Sequence, residues 1–205
     1  MVLPLAVLVA YLLFCILVGL CGSQRRMGFT GTFLLSLAIT PVIGLLVLLI
    51  DIAKGMIAVW WLPTAMLPGI DIDAGVSREW LTMACGFAVI VGHVYPVWFD
   101  FRGGKGAATV IGVVAAMELR LLAPLLLTWI VVLLLFGYVG LATMLSTIAL
   151  TAAVLVLEPN NIPLCTFCTV VAAFVIFTHR SNIRRMRAGK ENRVRRLWLF
   201  RSQRT

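Results

Sequence analysis

The chain has 205 residues, of which 62% are hydrophobic and only 12% are charged, and its formal net charge is +9. A soluble domain is roughly half apolar, so this composition excludes an ordinary globular protein and indicates a polytopic membrane protein. The apolar runs are continuous rather than alternating, which favours transmembrane helices over a β-barrel.

Seven apolar segments predict an all-α integral membrane protein with seven transmembrane helices, an external N-terminus and a cytoplasmic C-terminus. The fourth segment is short enough to be a re-entrant helix, and the apolar region 29–41 could be counted towards an extra span. The spans are expected at residues 2–21, 42–62, 80–99, 107–119, 121–137, 139–157 and 162–178.

Charge decides the predicted orientation. Beyond the last span the chain carries ten Lys or Arg residues and one acidic residue, whereas the net charge of the rest of the chain is zero. Seven spans place every basic segment on one face, which the positive-inside rule makes cytoplasmic, while an eighth span would move Arg25 and Arg26 to the other face. We therefore predict a membrane domain, 1–179, and a basic cytoplasmic tail, 180–205, that contacts anionic membrane lipids rather than nucleic acid.

Two charged residues interrupt the second predicted span. Asp51 and Lys54 are three residues apart, so they share a helix face and can pair. We interpret them as a structural ion pair, with a role in a substrate path as the alternative.

A glycine-rich stretch follows the third predicted span. Gly103, Gly104 and Gly106 remove side chains from a turn, so that backbone N–H groups can converge on an anion while Lys105 supplies a positive charge. A helix starting near Ala107 would direct its N-terminal partial charge to the same place. The turn predicts a phosphate cradle, although its spacing is not that of a Walker A loop. A lysine that snorkels to the membrane interface is the alternative.

Both histidines of the chain approach this turn from the same predicted face. His93 lies near the end of the third span, and His179 follows the seventh. A histidine can act as a base, an acid or a hydrogen-bond donor to phosphate, and Asn182 adds a neutral donor and acceptor. Either histidine alone would more often be an interfacial residue bonded to the backbone, but together with the turn they favour phosphate chemistry.

These motifs resemble those of the bacterial PlsY family. Residues 92–109 are similar to the family's second signature, residues 179–191 to its third, and residues 51–55 to a motif of its second helix. The resemblance implies a multi-pass protein of the bacterial inner membrane with its active site on the cytoplasmic face. It implies transfer of an acyl chain from acyl phosphate to position 1 of glycerol 3-phosphate, which yields lysophosphatidic acid for phospholipid synthesis, with no metal or other cofactor.

The resemblance also assigns residues. It implies catalytic roles for His179 and Asn182 and a structural role for Glu191. No metal ligands are expected, because the lone pair Cys165 and Cys168 has no second pair or histidine nearby. The expected substrate-binding or phosphate-binding residues are Lys105, Gly103, Gly104, Gly106, His93, Arg102 and Arg180.

The family's first signature, Ser-Gly-Asn-x-Gly-Ala-Thr-Asn followed by an arginine, is degenerate in this chain. The aligned residues 27–34 keep both glycines but neither the serine nor the asparagines, and Leu37 stands at the position of the arginine. Ser23, Arg25 and Arg26 are the nearby candidates for binding the acceptor.

A second departure lies between the fifth and sixth spans, where the family's Tyr-Val-Ser becomes Tyr-Val-Gly140. The two departures leave alternatives open: a catalytically impaired relative that binds lipid or regulates, or an acyltransferase with a different acceptor. A transporter is disfavoured, because the sequence has no internal repeat and no paired broken helices.

Overall fold

The computed structural model describes residues 28–64 and 77–194, with side chains in the first range from Ile43 onward. The chain divides into two compact units, Met1–Ile50 and Asp51–Thr205. The described part of the first unit is the beginning of one helix. The second unit holds the remaining elements and the candidate site residues of the second and third signature motifs.

Every regular element in the described ranges is a helix. Short 3-10 turns at Leu62–Thr64, Val97–Phe99 and Leu119–Leu121 follow or link the longer helices. The α-helices are α1 (Gly28–Trp60), α2 (Arg78–Val94), α3 (Ala107–Met117), α4 (Leu122–Phe136), α5 (Val139–Leu157), α6 (Ile162–Thr178) and α7 (Arg180–Arg187).

Helix α1 is longer than the span predicted within it. A span at 42–62 was expected, and the membrane-length segment is Ile43–Thr64, but the helix itself is continuous from Gly28 to Trp60. It includes the apolar region 29–41, and no turn separates that region from the predicted second span. Pro41 lies within the helix, and apolar membrane helices tolerate proline because neighbouring groups can satisfy the freed carbonyl.

Four segments of the described ranges are long and apolar enough to cross a membrane: Ile43–Thr64, Arg78–Phe99, Leu119–Phe136 and Val139–Leu157. The pair α6 and α7 is bent by 53° and makes a fifth if it is counted as one span. The predicted fourth span is the 11-residue helix α3, which rises about 16 Å and would cross roughly half of the hydrocarbon layer. The predicted first span lies outside the described residues, and the count of seven stays a prediction.

Local chemistry sets the ends of α4 and α6. Gly137 adopts a left-handed conformation, with φ of 73°, and so terminates α4. Asn161 begins α6, because its side-chain oxygen accepts a hydrogen bond from the N–H of Leu164 at 3.1 Å. These two helix-capping residues lie at the boundaries that were predicted between the last three spans.

The second part of α1 crosses α3 at close range. A Cβ added to Gly55 would lie 2.6 Å from the carbonyl oxygen of Thr109, and one added to Gly112 would collide with the carbonyl oxygen of Ile52. The two glycines therefore let the backbones touch. The crossing places Lys54 beside the helix that starts at the glycine turn.

We expect Gly55→Ala to lower the free energy of unfolding by about 1–3 kcal/mol, because the added methyl group meets backbone that cannot rotate away. Gly44→Ala is the matched control, since it lies in the same helix and a Cβ there meets no described atom within 4 Å. Thermal unfolding of the detergent-solubilised variants measures both. Equal Tm values for the two variants would contradict the close crossing.

Candidate active site

The chain reverses direction between α2 and α3 in a turn with unusual backbone angles. Asp100 and Phe101 have φ of 51° and 58°, and Gly106 has φ of 87°. Gly106 is the N-cap of α3, and its left-handed conformation is one that glycine adopts without strain. The turn therefore ends at a helix N-terminus, whose backbone N–H groups carry partial positive charge.

The middle of this turn packs directly on the end of α2. The N–H of Gly103 donates to the carbonyl oxygen of Val94 at 3.1 Å. A Cβ added to Gly103 would collide with the carbonyl oxygen of His93, and one added to Gly104 would collide with the His93 imidazole at Nε2. Only glycine can occupy these two positions without moving His93.

His93 is held from the other side by α1. The Lys54 ammonium lies 2.5 Å from His93 Nδ1 and 2.6 Å from Asp51 Oδ1. The distance from His93 Nδ1 to Asp51 Oδ1 is longer, at 3.4 Å. Asp51 and Lys54 form an ion pair, and the same ammonium contacts the histidine.

Lys105 meets α7 through a chain of side-chain hydrogen bonds. Its ammonium donates to Asn182 Oδ1, Asn182 Nδ2 donates to Glu191 Oε1 at 2.6 Å, and Arg185 Nε donates to Glu191 Oε2 at 2.6 Å. An ammonium only donates and a carboxylate only accepts, so these partners determine the orientation of the Asn182 amide. The amide is 7% exposed, and both of its polar atoms are satisfied.

The charges of this network act on one another. Burial, followed by the positive charge of Arg185, lowers the pKa of the Lys105 ammonium, and Glu191 offsets part of this effect. Burial opposes ionisation of Glu191, but hydrogen bonds from Arg185 and Asn182 and the charges of Arg185 and Lys105 outweigh it. They hold the pKa of Glu191 below its ordinary value.

His179 occupies the bend between α6 and α7 and is 4% exposed. Its Nδ1 lies 2.8 Å from the carbonyl oxygen of Val175. A carbonyl only accepts, so the proton is on Nδ1 and the lone pair of the neutral ring is on Nε2. The hydroxyl of Thr178 lies 3.3 Å from the carbonyl oxygen of Lys105 and ties this bend to the glycine turn.

The two candidate arginines lie outside these networks. Arg102 is exposed, and its side chain has no hydrogen bond within the described part of the chain. Arg180 stacks on Phe177, 4.4 Å from the ring centroid, and donates to the Phe177 carbonyl oxygen at 3.2 Å. The structure thus brings Lys105 and Asn182 into contact but leaves both arginines at the surface.

Two residues of the site were missed by the sequence analysis, and a third, Gly140, was noted there only as a departure from the family pattern. Arg185 looked like one of many tail arginines, and only its contact with Glu191 separates it from them. Thr178 gave no signal beyond its position next to His179. Gly140 packs against Asn182, because a Cβ there would lie 2.8 Å from Nδ2.

The predicted acceptor residues cannot be placed in this site. Ser23, Arg25 and Arg26 lie outside the described residues, as do the side chains of the aligned first signature, 27–34.

Sequence comparison identifies the family. The family model described as "Glycerol-3-phosphate acyltransferase" matches residues 2–189. A glycerol-3-phosphate acyltransferase of Aliivibrio salmonicida is 35% identical over 150 residues, which cover 73% of this chain and 70% of the relative. One from Geotalea daltonii is 37% identical over 151 residues, covering 73% of this chain and 72% of the relative.

Two crystal structures are similar in fold, both of PlsY (YgiH), an integral membrane glycerol 3-phosphate acyltransferase. The lysophosphatidic acid form has a TM-score of 0.62 and 29% identity, covering 89% of this chain and 94% of that one. The glycerol 3-phosphate form has a TM-score of 0.60 and 28% identity, covering 90% and 94%. The chain therefore belongs to the PlsY family of integral membrane glycerol-3-phosphate acyltransferases.

Proposed function

We propose that this glycerol-3-phosphate acyltransferase takes its acyl group from an acyl phosphate, whose phosphate binds at the turn formed by Gly103, Gly104 and Lys105. The main support for the proposal is that three features lie at one place: a glycine-rich backbone turn, the Lys105 ammonium and the N-terminus of a helix. Each of the three provides positive potential or N–H donors for an anion. The acyl chain would lie among the apolar helices.

In the proposed reaction the 1-hydroxyl of glycerol 3-phosphate attacks the acyl carbonyl carbon. A new ester C–O bond forms, the bond between the acyl carbon and the phosphate oxygen breaks, and inorganic phosphate leaves. Lys105 stabilises the charge that grows on the departing phosphate. His179 Nε2 carries the free lone pair and accepts the hydroxyl proton, so no covalent acyl-enzyme is needed.

Asn182 has a supporting role in this scheme. Its amide lies between the Lys105 ammonium and the Glu191 carboxylate. Arg185 neutralises that carboxylate, so Glu191 can hold the amide without cancelling the charge of Lys105. We assign Glu191 a structural role, and Asn182 the task of orienting Lys105 and the attacking hydroxyl.

The proposed acceptor is glycerol 3-phosphate, the ligand of one PlsY crystal structure. Ser23, Arg25 and Arg26 are the proposed acceptor-binding residues, in place of the family's first signature. We also propose a bacterial inner membrane location with the site on the cytoplasmic face. The arginines of α7, the helix whose Asn182 and Arg185 belong to the Lys105 network, support that orientation.

Lys105→Ala is expected to lower kcat/KM by at least about 100-fold, because one charged donor to the leaving phosphate is lost. Release of phosphate and formation of lysophosphatidic acid from acyl phosphate and glycerol 3-phosphate measure the loss. Lys190→Ala is the matched control, because Lys190 is an exposed lysine near the same network. Equal activity in both variants would contradict the assignment of Lys105.

His179→Ala should lower kcat by about 10²–10⁴-fold with little change in the KM for acyl phosphate, since a base acts in the chemical step. Donor hydrolysis by the unmodified protein without acylated glycerol phosphate would indicate a different acceptor. No turnover at all, under conditions where a relative with the full first signature is active, would indicate a catalytically impaired member.

The alkaline side of the pH profile of kcat/KM should follow deprotonation of the Lys105 ammonium. The ammonium is the required form, it is present below its pKa, and it is lost as the pH rises through that pKa. Because the pKa of Lys105 lies below the ordinary lysine value, kcat/KM should fall on the alkaline side earlier than it would for a free lysine. In Lys105→Arg the guanidinium stays charged, so the remaining activity should lack this alkaline decline. An unchanged decline in Lys105→Arg would exclude Lys105 as its source.

A further inference from the structure

The proton of His93 can be placed from its neighbours. Its Nδ1 lies 2.5 Å from the Lys54 ammonium, which has hydrogens to donate but no lone pair to accept with. Asp51 Oδ1, the other candidate partner, is 3.4 Å from Nδ1 but 2.6 Å from the ammonium. The carboxylate is therefore engaged by Lys54, and His93 Nδ1 accepts. The neutral ring then carries its proton on Nε2.

That Nε2–H points to the glycine turn. A Cβ added to Gly104 would collide with Nε2, so this nitrogen lies against the backbone next to Lys105. Within the described ranges, Nε2 has no hydrogen-bond partner. The His93 side chain is 14% exposed, so a mostly buried imidazole has a donor with no acceptor among the described residues.

The position of Lys54 is itself determined by helix packing. Gly55, the next residue, lets α1 contact the backbone of α3 at Thr109 and Val113. The helix that brings Lys54 to His93 is thus packed against the helix that begins at the turn. Lys54, His93 and the turn form one connected unit.

We propose that Lys54 is a positioning residue: it donates to His93 Nδ1, keeps the proton on Nε2, and so makes Nε2–H a donor to a phosphoryl oxygen at the Gly103–Gly104 turn. This rests on the proposed phosphate-binding function of the turn. His179 has the opposite tautomer, with its proton on Nδ1 and its lone pair on Nε2. The two histidines thus present a donor and a base, and neither role needs a charged imidazole.

The first test reads the tautomers directly and needs no turnover. The chain has two histidines, so ¹⁵N-histidine labelling gives two imidazole spin systems, which His93→Gln assigns. We expect the Nε2–H tautomer for His93 and the Nδ1–H tautomer for His179 in the full-length protein in detergent micelles. In Lys54→Met, His93 should shift to a mixture of tautomers while His179 stays unchanged. An Nδ1–H tautomer of His93 in the unmodified protein, or no change in Lys54→Met, would overturn the proposal.

The second test separates binding from chemistry. Lys54→Met should raise the KM for acyl phosphate about tenfold or more, the effect of weakening one hydrogen bond to a charged group, with a smaller change in kcat. Lys54→Arg should restore part of the loss, because a guanidinium also donates to Nδ1. A fall in kcat with unchanged KM in Lys54→Met would overturn the positioning role.

Two substitutions at His93 test which nitrogen matters. A glutamine amide can place an N–H near the position of Nε2, whereas an asparagine amide reaches only the position of Nδ1. We expect His93→Gln to keep the KM for acyl phosphate within a few-fold and His93→Asn to raise it as much as His93→Ala does. The opposite order would overturn the proposal. If the Lys105 and His179 variants behave as expected while these do not, the proposed function stands and this inference fails.

Discussion

The hydrogen bond from Lys105 to Asn182 is the contact on which the site depends. It joins residues 77 positions apart and so connects the turn before α3 with the helix after α6. Asn182 is nearly fully buried, and a buried amide with an unmade hydrogen bond would be destabilising by about 1–3 kcal/mol. Glu191 satisfies the other end of the amide, and Arg185 balances Glu191. The network therefore holds a lysine in place while leaving a positive charge at the turn.

The glycine turn is shaped by what packs behind it as much as by what it binds. His93 occupies the space that side chains at Gly103 and Gly104 would need, and Lys54 and Asp51 support His93 from α1. An isolated glycine-rich loop would be mobile, because glycine gives up much backbone entropy on ordering. Here three helices restrict it, so the N–H groups are positioned before any anion arrives, which favours binding.

Sequence patterns located some elements well and others poorly. The ends of α5 and α6 were predicted correctly, because Gly137, Glu158 and Asn161 interrupt the apolar runs with a glycine and two polar residues that cap the helices. The second span, expected at 42–62, agrees with the membrane-length segment Ile43–Thr64. The helix that contains it begins earlier, at Gly28, because the region 29–41 continues the apolar run without a turn signal, and hydropathy detects apolar length rather than helix ends. Arg185 could not be distinguished from neighbouring arginines, since a charge count records how many cations there are and not which one pairs.

The sequence by itself determined the class of protein, the side-chain-free turn with its lysine, and the family, because composition and short motifs are local properties of the chain. The tertiary structure decided which partner each charged residue takes: Lys54 with His93 and Asp51, Lys105 with Asn182, and Arg185 with Glu191. Lys54 and His93 are 39 positions apart, and their contact depends on the crossing of α1 and α3. Proton positions on the two histidines follow from those partners, since a neutral imidazole is a donor or an acceptor at each nitrogen according to what it faces.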